Sequence, residues 1–288
     1  MKICVVGDVM VDEHVYCEVL GVSPEDEIAP KLRVNRVKRT FGGAANVAEN
    51  LRKMGLKVDL FGEIGKDDDG AWLKDYFPFL IESNRITTRK KRILTMKGKY
   101  ICRIDYESTS EICDKSEKTI LETIMKNQYD FFIVSDYAKG VITNGILDGI
   151  PNGYIVDPKR RNLSEYRNAG IITPNELEFL SSPSLPNCRI IVTLGDRGCM
   201  LDGEVISTQP KEVGDPTGCG DCFVAGLIYG LSKGLSLRDA CFYGNAAGSY
   251  AFGFVGVYQL DEAELLSEYE KGLAYSCLDG STRVSRQE

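Results

Sequence analysis

The chain opens on an unbroken apolar run over residues 2–6 that stops at Gly7-Asp8, the pattern of a strand buried on both faces. Short apolar runs of the same kind lie over 58–64, 131–135, 154–157, 170–173 and 189–193. Between them apolar residues return at helical spacing. Ala44, Val47, Ala48 and Leu51 mark a helix over 42–54 that Gly55 stops. Similar spacing predicts helices over 71–77, 115–127, 175–181, 221–233, 237–252 and 261–275. Strand and helix in alternation predict an α/β fold, three layers deep, with a mostly parallel sheet covered on both faces. Two stretches break this rhythm. Residues 15–37 alternate loosely and carry many charges, and 92–106 read as a hairpin around Lys97-Gly98-Lys99. Both suit a small β-sheet lid over a site. Nothing repeats, and the tail after Asp279 reads as frayed.

Composition narrows the class. A length of 288 residues suits one large α/β domain or two small ones, and 43% hydrophobic with 27% charged residues is ordinary for a globular protein. A net charge of −7 argues against a nucleic-acid partner or an anionic membrane surface. The N-terminal apolar run is too short for a signal peptide, and no run reaches the length of a membrane span, so the expected location is cytoplasmic. The ten cysteines are scattered, and most, such as Cys4, Cys102 and Cys241, sit in apolar runs as small hydrophobes. Cys219 and Cys222 have C-x-x-C spacing at a helix start, which leaves a redox dithiol as an open alternative. His14 is the single histidine, which disfavours His-based triads and multi-histidine metal sites.

The densest chemistry lies in Gly218-Cys219-Gly220-Asp221, directly before the apolar run Cys222-Phe223-Val224-Ala225. A glycine turn opening a helix offers unpaired N–H donors to an anion, and an aspartate beside it can take a proton from an attacking hydroxyl. That pair is the minimum for phosphoryl transfer to an alcohol. The same residues also read as a plain capped helix. Asp8 and Asp12 follow the first strand, where open α/β sheets bind ligands; they read as sugar-hydroxyl contacts or as strand-end caps. Gly42, Gly43 and Asn46 bring backbone and one amide either to a sugar or to a small-residue helix start. Asn175-x-x-Glu178 is a capping pattern. Lys159, with Arg160 and Arg161, and the separate Lys139 and Arg103 are candidates for holding a phosphate, or simply solvated charges. No Walker-type loop and no Gly-x-Gly-x-x-Gly after the first strand is present.

Phe41-Gly42-Gly43-Ala44-Ala45-Asn46-Val47-Ala48 and Asp215-Pro216-Thr217-Gly218-Cys219-Gly220-Asp221 resemble the two signatures of the ribokinase-like (PfkB) carbohydrate kinases, in the expected order. The resemblance covers nearly the whole chain. Ser135-Asp136-Tyr137-Ala138-Lys139-Gly140, Asp157-Pro158-Lys159 and Thr173-Pro174-Asn175 are most similar to the D-glycero-D-manno-heptose-7-phosphate kinases. The resemblance implies one kinase domain over 1–288, with lid segments near 13–37 and 89–106. It implies ATP as donor, a sugar or sugar phosphate as acceptor, and transfer to the anomeric hydroxyl. Asp221 would be the base, with Gly218, Cys219 and Gly220 presenting N–H groups to the transferring phosphoryl. Asn175 and Glu178 would help hold Mg²⁺. Thr193, Gly195 and Gly198 would form the nucleotide loop, and Asn245 would lie beside adenine. Lid pairing into a homodimer is a further expectation.

Two departures stand out. Cys219 replaces the family's usual alanine; at a helix N-terminus its thiol is expected to ionise readily, so that alkylation blocks turnover. Between Phe179 and Arg189 the chain is shorter than the family pattern. The resemblance extends to kinases many of which are fused to a nucleotidyltransferase domain, and a domain of that kind is not expected within these 288 residues. Fructose, ribose or adenosine as acceptor, or a non-catalytic sugar or nucleotide sensor, are the alternatives.

Overall fold

A computed structural model describes residues 1–209, 211 and 214–278. The central sheet grows from β1 (Lys2–Gly7), whose residues face two cores in turn. Ile3 and Val5 pack into one apolar cluster, Cys4 and Val6 into another, which is why the run carries no polar residue. β2 (Val9–Ser23) and β3 (Asp26–Gly43) then leave the core as a long antiparallel hairpin. The chain returns through α1 (Ala44–Lys53), β4 (Lys57–Phe61), β5 (Glu63–Gly65), α2 (Asp68–Tyr76) and β6 (Ile81–Ser83). The run expected as one strand over 58–64 is two, because at Gly62 a Cβ would lie 2.7 Å from the Gly7 carbonyl oxygen and the chain changes sheet there.

β7 (Thr88–Thr95) and β8 (Tyr100–Tyr106) form the expected hairpin and complete a four-stranded sheet, β3-β2-β7-β8. This is the lid. The second half runs α3 (Asp114–Met125), β9 (Phe131–Ser135), α4 (Asn144–Gly149), β10 (Tyr154–Asp157), β11 (Ala169–Ile172), α5 (Glu176–Ser181) and β12 (Arg189–Thr193). It ends with β13 (Cys199–Leu201), β14 (Glu204–Ile206), α6 (Cys219–Ser232), α7 (Leu237–Phe252) and α8 (Glu262–Leu278). The main sheet has the order β14-β13-β12-β11-β10-β9-β1-β4, parallel from β4 to β12 with an antiparallel edge at β13 and β14.

Helices cover both faces, as expected. α1, α6, α7 and α8 bury Leu51, Ala225, Ala247 and Leu265 against one face, and α3 and α4 bury Ile120 and Ile146 against the other. The β13–β14 hairpin and α4 have too few residues to leave a periodic signal. The short stretch after Phe179 leaves Leu177 and Leu180 exposed on α5.

Candidate active site

Three cavities meet at the N-terminus of α6. Gly218 caps the helix with φ 78°, a conformation that favours glycine, and a Cβ there would stand 3.0 Å from Asn46 Nδ2. The first-turn N–H groups of Gly220 and Asp221 lack helical acceptors, and Gly220 faces open space. The expected third donor is not free: Cys219 N–H donates to the Pro216 carbonyl at 3.2 Å. The turn itself is tied to Asp215, which accepts from Thr217 N–H, Thr217 Oγ1 and Gly256 N–H at 3.0, 2.6 and 2.8 Å. Tyr100 of the lid reaches the same carboxylate at 3.4 Å.

Asp221 is 2% exposed, and burial pushes its carboxyl up to about 6. Asn46 and Tyr137 oppose that shift by donating to it. Asn46 Nδ2 donates to Oδ2 at 2.8 Å and Tyr137 Oη to Oδ1 at 2.6 Å. A carboxyl near 6 is ionised at neutral pH and close enough to it to accept a proton efficiently. If ionised Asp221 is required, kcat/KM falls about tenfold per pH unit below about pH 6 and is level above it. A pH–rate profile flat down to pH 5 contradicts that role.

One cavity, about 200 Å³, lies between Asp221 and the lid and is lined by Asp12, Gly43, Lys90, Arg92, Tyr137 and Gly218. The lid register explains this set: Asp12 pairs with Lys90 and His14 with Arg92, so alternate residues of β2 and β7 point inward. Arg92 bonds Asp12 directly. Lys90 has no ion-pair partner among the described residues, stands 4.9 Å over the Tyr137 ring, and its ammonium is lowered by burial. Gly42 is required by close approach, since a Cβ would strike Asp12 Oδ2 at 2.1 Å.

A second cavity of about 150 Å³ is lined by Tyr137, Asp157, Lys159, Asn175, Glu178 and Gly220. Asn175 and Glu178 form the capping box, with Glu178 N–H on Asn175 Oδ1 at 2.8 Å and Asn175 N–H on Glu178 Oε2 at 3.0 Å. Lys159 Nζ sits 2.5 Å from Glu178 Oε1. Burial and the nearby Asp221 and Glu178 push the Asp157 carboxyl well up. Carboxylate and amide oxygens are the donor types a hard cation takes, but both Glu178 oxygens and Asn175 Oδ1 are already engaged by protein groups. A third cleft of about 390 Å³ runs on past Asn175, Thr193, Gly195, Gly198, Cys219 and Asn245. Asn245 also pins β14 to α7 through the Ile206 carbonyl at 2.8 Å.

Several sequence expectations change. Asp8 is 1% exposed, and its oxygens accept Tyr137, Lys139 and Val141 N–H at 2.8, 3.0 and 3.0 Å; it is a strand-end cap and lines none of the three cavities. Asn46 is wholly buried, and its amide donates to Asp221 instead of lining one of the three cavities. Arg103 lies one strand further out, paired with Asp105 at 2.8 Å, and Lys139 pairs with Glu107 at 2.8 Å. Arg160 is bound to Asp136 and Glu165. Lys90, Arg92 and Tyr137 also line the site, and because Arg89-Lys90-Lys91-Arg92 is basic throughout, no alternation in the sequence marks the inward pair.

The surroundings of the two cysteines weigh against their expected reactivity: Cys219 is half-buried and Cys222 fully buried. Burial, with Asp215 and Asp221 nearby, pushes the Cys219 thiol up to about 12, and burial drives Cys222 upward too. Low thiolate content disfavours both a redox pair and easy alkylation. The exposed Cys113 is instead lowered by hydrogen bonds from Ser116. Brief iodoacetamide treatment near neutral pH therefore labels Cys113 well ahead of Cys219, as peptide mass mapping will show. Equal labelling rates contradict the buried thiol.

The family model described as "pfkB family carbohydrate kinase" matches residues 1–90 and 96–262. The chain belongs to the pfkB family of carbohydrate kinases. Kinases of this family use ATP. This pfkB kinase is 32% identical over 306 residues to the bifunctional protein HldE of a Nitratiruptor species, covering 94% of this chain and 65% of the relative. It is 32% identical over 305 residues to HldE of Wolinella succinogenes, covering 93% and 64%. The chain thus spans just under two thirds of the length of those relatives. Among solved structures, phosphofructokinase-2 from Escherichia coli shares the fold with a TM-score of 0.73 at 18% identity, over 95% of this chain and 100% of that one. Ribokinase from Thermotoga maritima does so with a TM-score of 0.72 at 20% identity, over 94% and 99%. Among the described residues no helix of this kinase is long and apolar enough to cross a membrane.

Proposed function

We propose that this kinase transfers the γ-phosphate of ATP to the anomeric hydroxyl of D-glycero-D-manno-heptose 7-phosphate. The observation that carries the reading is Asp221, buried at the α6 N-terminus where the acceptor cavity meets the two cavities on the donor side. Asp221 takes the proton of the attacking hydroxyl, and the Gly220 and Asp221 N–H groups meet the transferring phosphoryl. Asp12 accepts from sugar hydroxyls. Lys90, unpaired and half-sunk among apolar atoms, supplies the positive charge an acceptor phosphate needs. ATP lies along the long cleft past Thr193, Gly195, Gly198 and Asn245.

Asn175, Glu178 and Asp157 would hold Mg²⁺, partly through water, and the ion would neutralise phosphate charge. Because Lys159 already engages Glu178, it is free to turn to a phosphate when that pairing is relieved. We also propose a single kinase domain over 1–288 and a homodimer through the lid, whose β2–β3 hairpin exposes Val22, Ile28 and Val34. The HldE relatives favour the heptose phosphate over other sugars. The test is Mg²⁺-dependent ATP consumption with heptose 7-phosphate, fructose, ribose and adenosine, each product identified by mass. Turnover of the heptose phosphate alone supports the assignment; turnover of another acceptor moves the substrate and keeps the base.

A further inference from the structure

We propose that Tyr137 is a positioning residue for Asp221, its phenol holding Oδ1 so that the free lone pairs of the carboxylate face the acceptor cavity. The inference rests on Asp221 being the base. A carboxylate has about four acceptor directions, and here one on each oxygen is taken, by Tyr137 at 2.6 Å and Asn46 at 2.8 Å. Asn46 cannot turn its amide away, because its own oxygen accepts from Asn50 at 3.0 Å and Gln259 at 3.2 Å. The carboxylate is thus clamped from two sides, and its remaining directions serve the cavity that Tyr137 and Asp221 share.

The turn that carries Tyr137 is held more tightly than a connection requires. Ala138 has φ 55°, a strained choice for a residue with a Cβ, and its N–H is fixed by Asp136 Oδ1 at 2.8 Å. Asp8 binds the N–H groups of Tyr137, Lys139 and Val141. Gly140 has φ 91°, and a Cβ there would fall 2.0 Å from the Ser110 carbonyl oxygen. Strain this over-determined fixes one ring position. On the ring's face stands the Lys90 ammonium, which draws on the π electrons and makes the phenol a stronger donor. Burial, Asp221 and Asp157 together keep that phenol protonated.

A donor to the ionised carboxylate favours its charged form. The other groups that bear on the pair are Asp12, Lys90 and Arg92 of the lid, Asp157 of β10, and Cys219 and Cys222 on α6 itself. None of them changes in Tyr137→Phe, which keeps the ring and removes only the donor. The acidic limb of kcat/KM then moves up by about one to two pH units, with acceptor KM little altered. Fluorotyrosines at position 137 give a second reading that does not depend on the variant's folding. As the phenol becomes more acidic and donates more strongly, the limb moves down in step.

A purely structural tyrosine leaves the limb where it was in both series, and that result overturns the proposal. Asp221→Asn separates the two claims. Should it retain turnover, the base and its positioning residue fall together. Should it abolish turnover while the limb stays fixed in Tyr137→Phe and the fluorotyrosines, only the role of Tyr137 is lost.

Discussion

Asp221→Asn lowers kcat by about 100- to 10,000-fold while ATP and the acceptor still bind, because the substitution removes a proton acceptor and keeps the shape. The amide can present its oxygen to Asn46 and its nitrogen to the Tyr137 oxygen, and the Tyr137 hydroxyl proton, which loses its carboxylate acceptor, can turn to the cavity it lines. The fold is therefore preserved, and the loss appears in turnover. Steady-state rates together with calorimetric titration of each ligand make the distinction. A kcat within tenfold of the native value contradicts a base at this position and favours a scaffold that only binds its ligands.

The second large effect falls on stability. Asp8→Ala strands three N–H donors inside the protein, those of Tyr137, Lys139 and Val141. Charge-assisted bonds of this kind are strong and leaving their donors unmet is costly, so unfolding becomes easier by roughly 3–5 kcal/mol. For a chain of this size that lowers Tm by roughly 10 °C. Asp8→Asn is milder, since one amide oxygen can still serve the Tyr137 and Lys139 donors. A sugar-binding Asp8 predicts the reverse, a raised acceptor KM with unchanged melting. Thermal unfolding of both variants decides between the two.

The main architecture was legible because it rests on local periodicity. The two-faced burial of β1 demanded an unbroken apolar run, α6 is buried without a break from Asp221 to Gly230 and is apolar almost throughout, and α7 returns buried residues at helical spacing. The turn at Gly218 was legible too, since a helix start with glycine and aspartate has few other uses. What the sequence concealed were partners far apart along the chain. The donors on Asp8 lie up to 133 residues on, and Asn46 meets Asp221 across 175 residues. For Asp8 and Asn46 the sequence thus left a sugar contact and a structural cap or helix start both open, and folding turns both side chains toward protein groups. Cys219 shows the same limit, because burial and two neighbouring carboxylates outweigh the helix terminus that the sequence displays. Lys90 was hidden in a run of basic residues, and only the strand register separates the inward Lys90 and Arg92 from their neighbours.

The central claim is phosphoryl transfer to the anomeric oxygen of a sugar that already carries a phosphate. Phosphorus NMR of a reaction containing Mg·ATP, the kinase and heptose 7-phosphate tests it most directly. One new sugar phosphate ester coupled to the anomeric proton is expected, with the original 7-phosphate resonance retained and ADP formed in equal amount. An ester at any other carbon, or equal turnover of the heptose lacking its 7-phosphate, contradicts it.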